Sequence, residues 1–221
     1  MGATTIKLYG YWRSAATYRV RIALALKGLA WTETAVDVAA GEQFTREFAA
    51  RNPQHAVPVL LDGGTPLTQS LAIIEYLEER YPEPPLLPKA LPERAAVRAF
   101  ALISIADAHP LQVPRVRRYL MRELAASEAA TRAWARHWFE EAFAAMQAQL
   151  VARERDSAFC FGDTPGLADI ALAAHAAGAA TVDVAVEDYP RLAAILERCQ
   201  QLDAFALNSP QALAPRVASG T

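Results

Sequence analysis

The side chains best suited to chemistry gather at three short segments. Ser14 follows Ile6-Lys7-Leu8-Tyr9, which reads as a strand ending at Gly10. It precedes Tyr18 to Leu26, which reads as a helix with Val20, Ile22, Ala23, Leu24 and Leu26 on an apolar side. A strand-to-helix turn collects free N–H groups and the positive end of the helix dipole, and both favour an anion. A hydroxyl there has two uses: capping the helix, or donating to a bound anion. Thr17 is either a second such hydroxyl or a plain first-turn residue, and Arg13 is either a bidentate grip for a carboxylate or a solvated charge. Gln69-Ser70 opens another helix after a strand, a second place for backbone N–H groups and a hydroxyl to hold a carboxylate. Val57-Pro58 starts a strand and is a candidate cis bond; its alternative is an ordinary edge-strand proline. Further along, Arg115 offers a second clamp or, with Arg117 and Arg118, a charged face, and His109 is a ligand-facing or a structural histidine.

Positioning these residues takes two kinds of architecture. Residues 1–80 alternate short apolar runs with helical stretches: strands at 6–9, 31–38, 57–61 and 66–68, helices at 18–26, 43–50 and 69–80. The order βαβ-α-ββα is that of a thioredoxin-like α/β domain, here without a redox CxxC. Residues 81–89 hold four prolines and read as a linker. Beyond them, helical patterns run at 92–120, 131–155, 167–181 and 190–201, with Pro110 and Pro114 expected to kink the first. Of 48 alanines, 35 lie in 81–221, which predicts an all-helical second domain over 90–221. The tail from Ser209 reads as frayed.

Composition excludes several classes of function. A net charge of −2 on 221 residues argues against a nucleic-acid partner or a polybasic membrane anchor. A 53% hydrophobic content excludes a mainly disordered chain, and no apolar run approaches a transmembrane span. Cys160 and Cys199 form neither a disulfide framework nor a zinc ribbon, and His55, His137 and His175 lack metal-ligand spacing. The start of the chain lacks a signal peptide's pattern and the Ser or Thr that acylation requires at position 6, so a cytoplasmic location is expected.

Taken in order, Tyr11-Trp12-Arg13-Ser14-Ala15-Ala16-Thr17-Tyr18-Arg19-Val20-Arg21-Ile22-Ala23-Leu24, Asn52-Pro53-Gln54-His55-Ala56-Val57-Pro58 and Gln69-Ser70-Leu71-Ala72-Ile73-Ile74-Glu75-Tyr76-Leu77 resemble the signature segments of the cytosolic glutathione transferases, zeta class. Phe161-Gly162-Asp163 and Leu167-Ala168-Asp169 resemble the start of that superfamily's core helix, with Gly166 and Asp169 as its capping box. The resemblance implies glutathione as cofactor, a homodimer, and cis–trans isomerisation of a maleyl keto acid, maleylacetoacetate or maleylpyruvate. Ser14 would activate the thiol, with Arg13 beside it. Thr17, Gln43, Val57, Gln69, Ser70 and Gln112 would contact glutathione, and Arg13, His109 and Arg115 would hold the substrate.

The chain departs from that pattern at Ala15 and Ala16, where relatives carry serine and cysteine, at Val113, where asparagine is common, and at Thr181, where the isomerases tend to carry a substrate-binding arginine. Thr181 and the alanine-rich stretch 171–180 keep a second reading open: conjugation of glutathione to a small electrophile, or its dehalogenation. A non-catalytic glutathione-binding module is the third.

Overall fold

The computed structural model describes residues 5–215; the targeting reading of residues 1–4 and the tail beyond 215 lie outside the described residues. The chain divides into two compact units. One runs to Pro85 and resumes at Asp203; the other is Leu86–Leu202.

In the first unit the elements are β1 (Ile6–Gly10), α1 (Ala15–Leu26), β2 (Trp31–Ala35), α2 (Arg46–Arg51), β3 (Val59–Asp62), β4 (Thr65–Thr68) and α3 (Ser70–Arg80). Among the described residues they form a four-stranded mixed sheet in the order β2-β1-β3-β4, with β1 parallel to β2 and antiparallel to β3. The register sets Leu8 opposite Leu60 and Tyr9 opposite Val59. Strand alternation then sends Tyr9 and Val59 to one face, where they cluster with Val36 and Phe48, and Leu8 and Leu60 to the other. Full burial of each such leucine contributes roughly 1.5–3 kcal/mol. Gly10 ends β1 where a Cβ would stand 2.5 Å from the Thr17 methyl and 2.6 Å from a Glu33 carboxylate oxygen, so glycine lets the first turn of α1 close over the strand. This is the thioredoxin-like order expected.

Three local differences have local causes. The helix expected at 43–50 is a 3-10 turn, Glu42–Phe44, followed by α2, because Thr45 is extended and caps α2 by accepting from the Phe48 N–H. The second strand stops at Ala35, which pairs with Gly10, the last residue of β1; the Val36 N–H on the Gly10 carbonyl is the closing bond of that parallel ladder. The third begins at Val59, after a Val57-Pro58 bond that is cis.

The helical unit contains α4 (Leu91–Leu102), a π-helical stretch (Ile103–Ala108), α5 (His109–Gln112), α6 (Pro114–Glu123), α7 (Glu128–Ala152), α8 (Leu167–Ala179) and α9 (Pro190–Gln200). The single helix expected at 92–120 is therefore broken, not merely kinked: Val113 is extended and Pro114 starts a new helix at its first position, where the missing N–H costs nothing. In α8, Ala168, Ala171, Ala173, Ala174 and Ala179 are buried beside Ile170 and Leu172. Stretch 171–180 is thus mainly packing core, and its use as support for conjugation or dehalogenation is corrected.

Two short helices follow, α10 (Asp203–Ala206) and α11 (Pro210–Leu213), both beyond the end of the helical unit. The Tyr18 hydroxyl donates to the Phe205 carbonyl at 2.9 Å, and Phe205 is fully buried. The expected extension of the helical domain past Leu202 is corrected on this ground for residues 203–213. So is the frayed tail as far as Leu213: Ser209 caps α11 through the Ala212 N–H, and Pro210 is buried.

Candidate active site

In the first unit the site is built on the starts of α1 and α3. Ser14 is the N-cap of α1; its Oγ accepts the Thr17 N–H at 3.2 Å. That satisfies one orphan donor and still leaves the Ser14 O–H free to donate, so capping and anion binding are compatible uses of one hydroxyl. Accepting a bond also polarises the hydroxyl as a donor. Arg13 is exposed beside it. Thr17 is fully buried and its Oγ1 faces the Tyr11 N–H at 3.4 Å, so it braces the turn; the reading of a second ligand-facing hydroxyl is corrected.

Asn52 organises the approach to Val57. It is buried, its amide donates to the Ala56 carbonyl at 2.7 Å, and its Oδ1 accepts the Gln54 N–H at 3.0 Å. The turn so fixed delivers Val57 and Pro58 to the head of β3. Gln54 in turn accepts from the Gln69 amide at 2.8 Å. Gln69 has φ 66 and ψ 113, a left-handed φ that costs a non-glycine residue of order 1–3 kcal/mol and concentrates at functional sites. Ser70, the first residue of α3, is buried and its Oγ accepts from Arg19 Nε at 3.1 Å. Gln43 is buried as well, with its amide nitrogen on the Val38 carbonyl and its Oε1 unpartnered among the described residues.

In the helical unit Gln112 closes α5, directly after the π-helical stretch, a feature frequent at functional sites. It is buried, and both amide atoms lack a partner among the described residues. An unmet buried polar group costs about 1–3 kcal/mol, which makes this amide a ligand-seeking one. His109 is half-buried and Arg115 exposed. Thr181 is exposed, its hydroxyl donating to the Gly178 carbonyl at 2.7 Å. The arginines reaching the adjoining turn come from α7 and are engaged: Arg132 with Asp183, Arg136 with the Val182 and Asp183 carbonyls and Glu140.

The remaining chemistry-bearing groups are structural. Asp169 takes the Cys160 and Gly166 N–H groups, each at 2.9 Å, and burial holds its carboxyl above the usual range. Only half of a capping box exists, because Gly166 has no side chain to return the bond. Glycine is there for space: a Cβ would stand 2.6 Å from the Leu86 carbonyl oxygen, which accepts the Leu167 N–H. Burial pushes the Cys160 and Cys199 thiols up, which removes both as nucleophiles. His175 lies between the Phe139 and Phe143 rings. Among the described residues no His, Cys, Asp and Glu cluster could hold a metal ion, and no helix is long and apolar enough to cross a membrane.

Family models for the glutathione S-transferase N-terminal domain and C-terminal domain match residues 4–79 and 125–198. Together with full-length relatives, these matches show that the chain belongs to the glutathione S-transferase family. Within it the similarity is to the zeta class. The probable maleylacetoacetate isomerase of Vibrio cholerae is 41% identical over 206 residues, 92% of this chain and 95% of that one. The holo structure of a maleyl pyruvate isomerase, a bacterial glutathione S-transferase in the zeta class, superposes with TM-score 0.91 at 41% identity, covering 94% of this chain and 98% of the other. A maleylacetoacetate isomerase from Methylobacterium extorquens AM1, with bound malonate and GSH, gives 0.90 at 42%, covering 93% and 97%.

Proposed function

We propose that this protein catalyses glutathione-dependent cis–trans isomerisation of a maleyl keto acid, maleylacetoacetate or maleylpyruvate. The observation that carries the reading is a free hydroxyl donor at the N-terminus of α1, Ser14, in a chain 41% identical over nearly its full length to such isomerases. The residues present suit glutathione: a hydroxyl donor at Ser14, the Val57 backbone before cis Pro58 at the head of β3, and a carboxylate-holding helix start at Ser70. When bound, glutathione supplies a thiolate able to add reversibly to a cis double bond conjugated with a ketone. Ser14 and the α1 N–H groups hold the negative sulfur, Val57 pairs with the extended peptide backbone, and Gln69 and Ser70 receive the γ-glutamyl end. Gln43 and Gln112 are the buried amides assigned to glutathione. Arg13, Arg115 and His109 are the groups assigned to substrate carboxylates. Malonate, bound in the Methylobacterium relative, is a dicarboxylate, which supports that substrate class.

A homodimer and a cytoplasmic location accompany this reading as family properties. The test is a thermal-shift titration with glutathione, then an assay with both keto acids. Stabilisation followed by glutathione-dependent conversion of one of them supports the proposal; stabilisation without conversion of either refutes the isomerase part. Thr181, which offers a hydroxyl where the isomerases tend to carry an arginine, supports a second reading, conjugation or dehalogenation of a small electrophile, for which halogenated acids and aromatic halides are the assay.

A further inference from the structure

We propose that Arg19 is a positioning residue for the anionic end of glutathione: its guanidinium fixes the Ser70 hydroxyl as a donor and supplies the positive charge that the γ-glutamyl α-carboxylate meets. The inference deepens the glutathione reading and rests on it. Three cations are buried at α1 and its C-cap, and two have carboxylates of their own. Arg21 is paired with Glu33, and Lys27 with Glu78 at 2.8 Å. Arg19, 2% exposed, has no carboxylate partner among the described residues; its Nε donates to Ser70 Oγ at 3.1 Å. Burial without a counter-ion also pulls its pKa down to about 10. A buried, unpaired charge is costly, and an anion brought by a ligand relieves that cost.

The geometry says where that anion sits. Ser70 opens an eleven-residue helix whose first N–H groups lack intrahelical partners. Because Ser70 Oγ accepts from Arg19, the hydroxyl proton is left to donate, and an ionised carboxylate is an acceptor only. The left-handed φ of Gln69, anchored by its amide on Gln54, turns the backbone into this helix start. Charge, hydroxyl and helix terminus therefore converge on one negative group.

The test compares two peptides by calorimetry: S-methylglutathione, and its analogue with the γ-glutamyl α-carboxylate replaced by hydrogen. A charge-assisted contact of this kind is worth about 10–100-fold, so the wild type is expected to prefer the carboxylate by that factor. In Arg19→Gln the preference should fall below about threefold while the analogue binds as before, and Arg19→Lys should restore part of it. Parallel weakening of both peptides would mean a purely structural role and overturn the inference. Retained preference in Arg19→Gln would overturn it while leaving glutathione binding intact; failure of the wild type to bind either peptide removes both readings. If Arg19→Gln does not fold, Ser70→Ala carries the test with the arginine in place. It should still favour the carboxylate about tenfold over the neutral α-carboxamide, and equal binding would overturn the inference.

Discussion

Alanine and glycine at position 14 separate the two uses of one hydroxyl. Both remove the Ser14 Oγ that accepts the Thr17 N–H at 3.2 Å and the O–H assigned to the cofactor's sulfur. Their effects on the helix differ. An N-cap serine replaced by alanine costs about 1 kcal/mol, whereas glycine, itself a fair N-cap, costs a few tenths. For a chain of this length, about 1 kcal/mol lowers the melting temperature by roughly 2–4 °C, so Ser14→Ala should show that fall and Ser14→Gly about a quarter of it. Loss of a donor to developing negative charge costs about 10²–10³ in rate irrespective of what caps the helix. Both variants should therefore lose kcat/KM by that factor, with the thiolate's ultraviolet absorbance in the glutathione complex shifted to higher pH. Activity that follows stability instead, lost in alanine and kept in glycine, would refute thiol activation by Ser14 and leave it a cap.

Three further outcomes are expected. Thr181→Arg, at an exposed position, should raise kcat/KM for a dicarboxylate keto acid about tenfold or more without lowering the melting temperature; no gain would mean that the substrate is held elsewhere. Gly166→Ala should cost about 1–3 kcal/mol in urea unfolding, because its Cβ meets the Leu86 carbonyl at 2.6 Å. Asp169, whose carboxyl is raised by burial, gives the native state more proton affinity than the unfolded chain has. Its stabilisation is full below the ordinary carboxylate range and shrinks as pH rises through the raised value. The urea-midpoint gap between wild type and Asp169→Asn should accordingly narrow as pH rises above the ordinary carboxylate range.

What the sequence revealed was local. Ser14, Val57-Pro58 and Gln69-Ser70 each declare themselves through neighbours in the chain: a strand before, a helix after, a proline at a strand head. The thioredoxin-like order followed from the same short patterns. The features that escaped depend on distant partners. Gly166 reads in the sequence as part of a capping box, because the carbonyl that excludes a side chain there belongs to distant Leu86. Arg19 drew no attention because Arg-Val-Arg in a helix suggests a solvated face, and only its bond to Ser70 reveals a buried charge. Asp203–Ala206 joins the first unit through a bond between residues 187 apart, which no periodicity encodes. The alanines of α8 signalled helix correctly, but their burial on almost every side is a property of packing. Gln112 was legible only by resemblance; its two unmet amide atoms are what give that assignment a physical reason.

Turnover at limiting glutathione addresses isomerisation most directly. Enzyme given a maleyl keto acid in large excess over glutathione, followed by proton NMR, should form many molecules of the trans product per glutathione, with the free thiol recovered at the end. Consumption of one glutathione per product would instead make the protein a conjugating transferase, and no conversion of either maleyl keto acid would contradict the isomerase assignment outright.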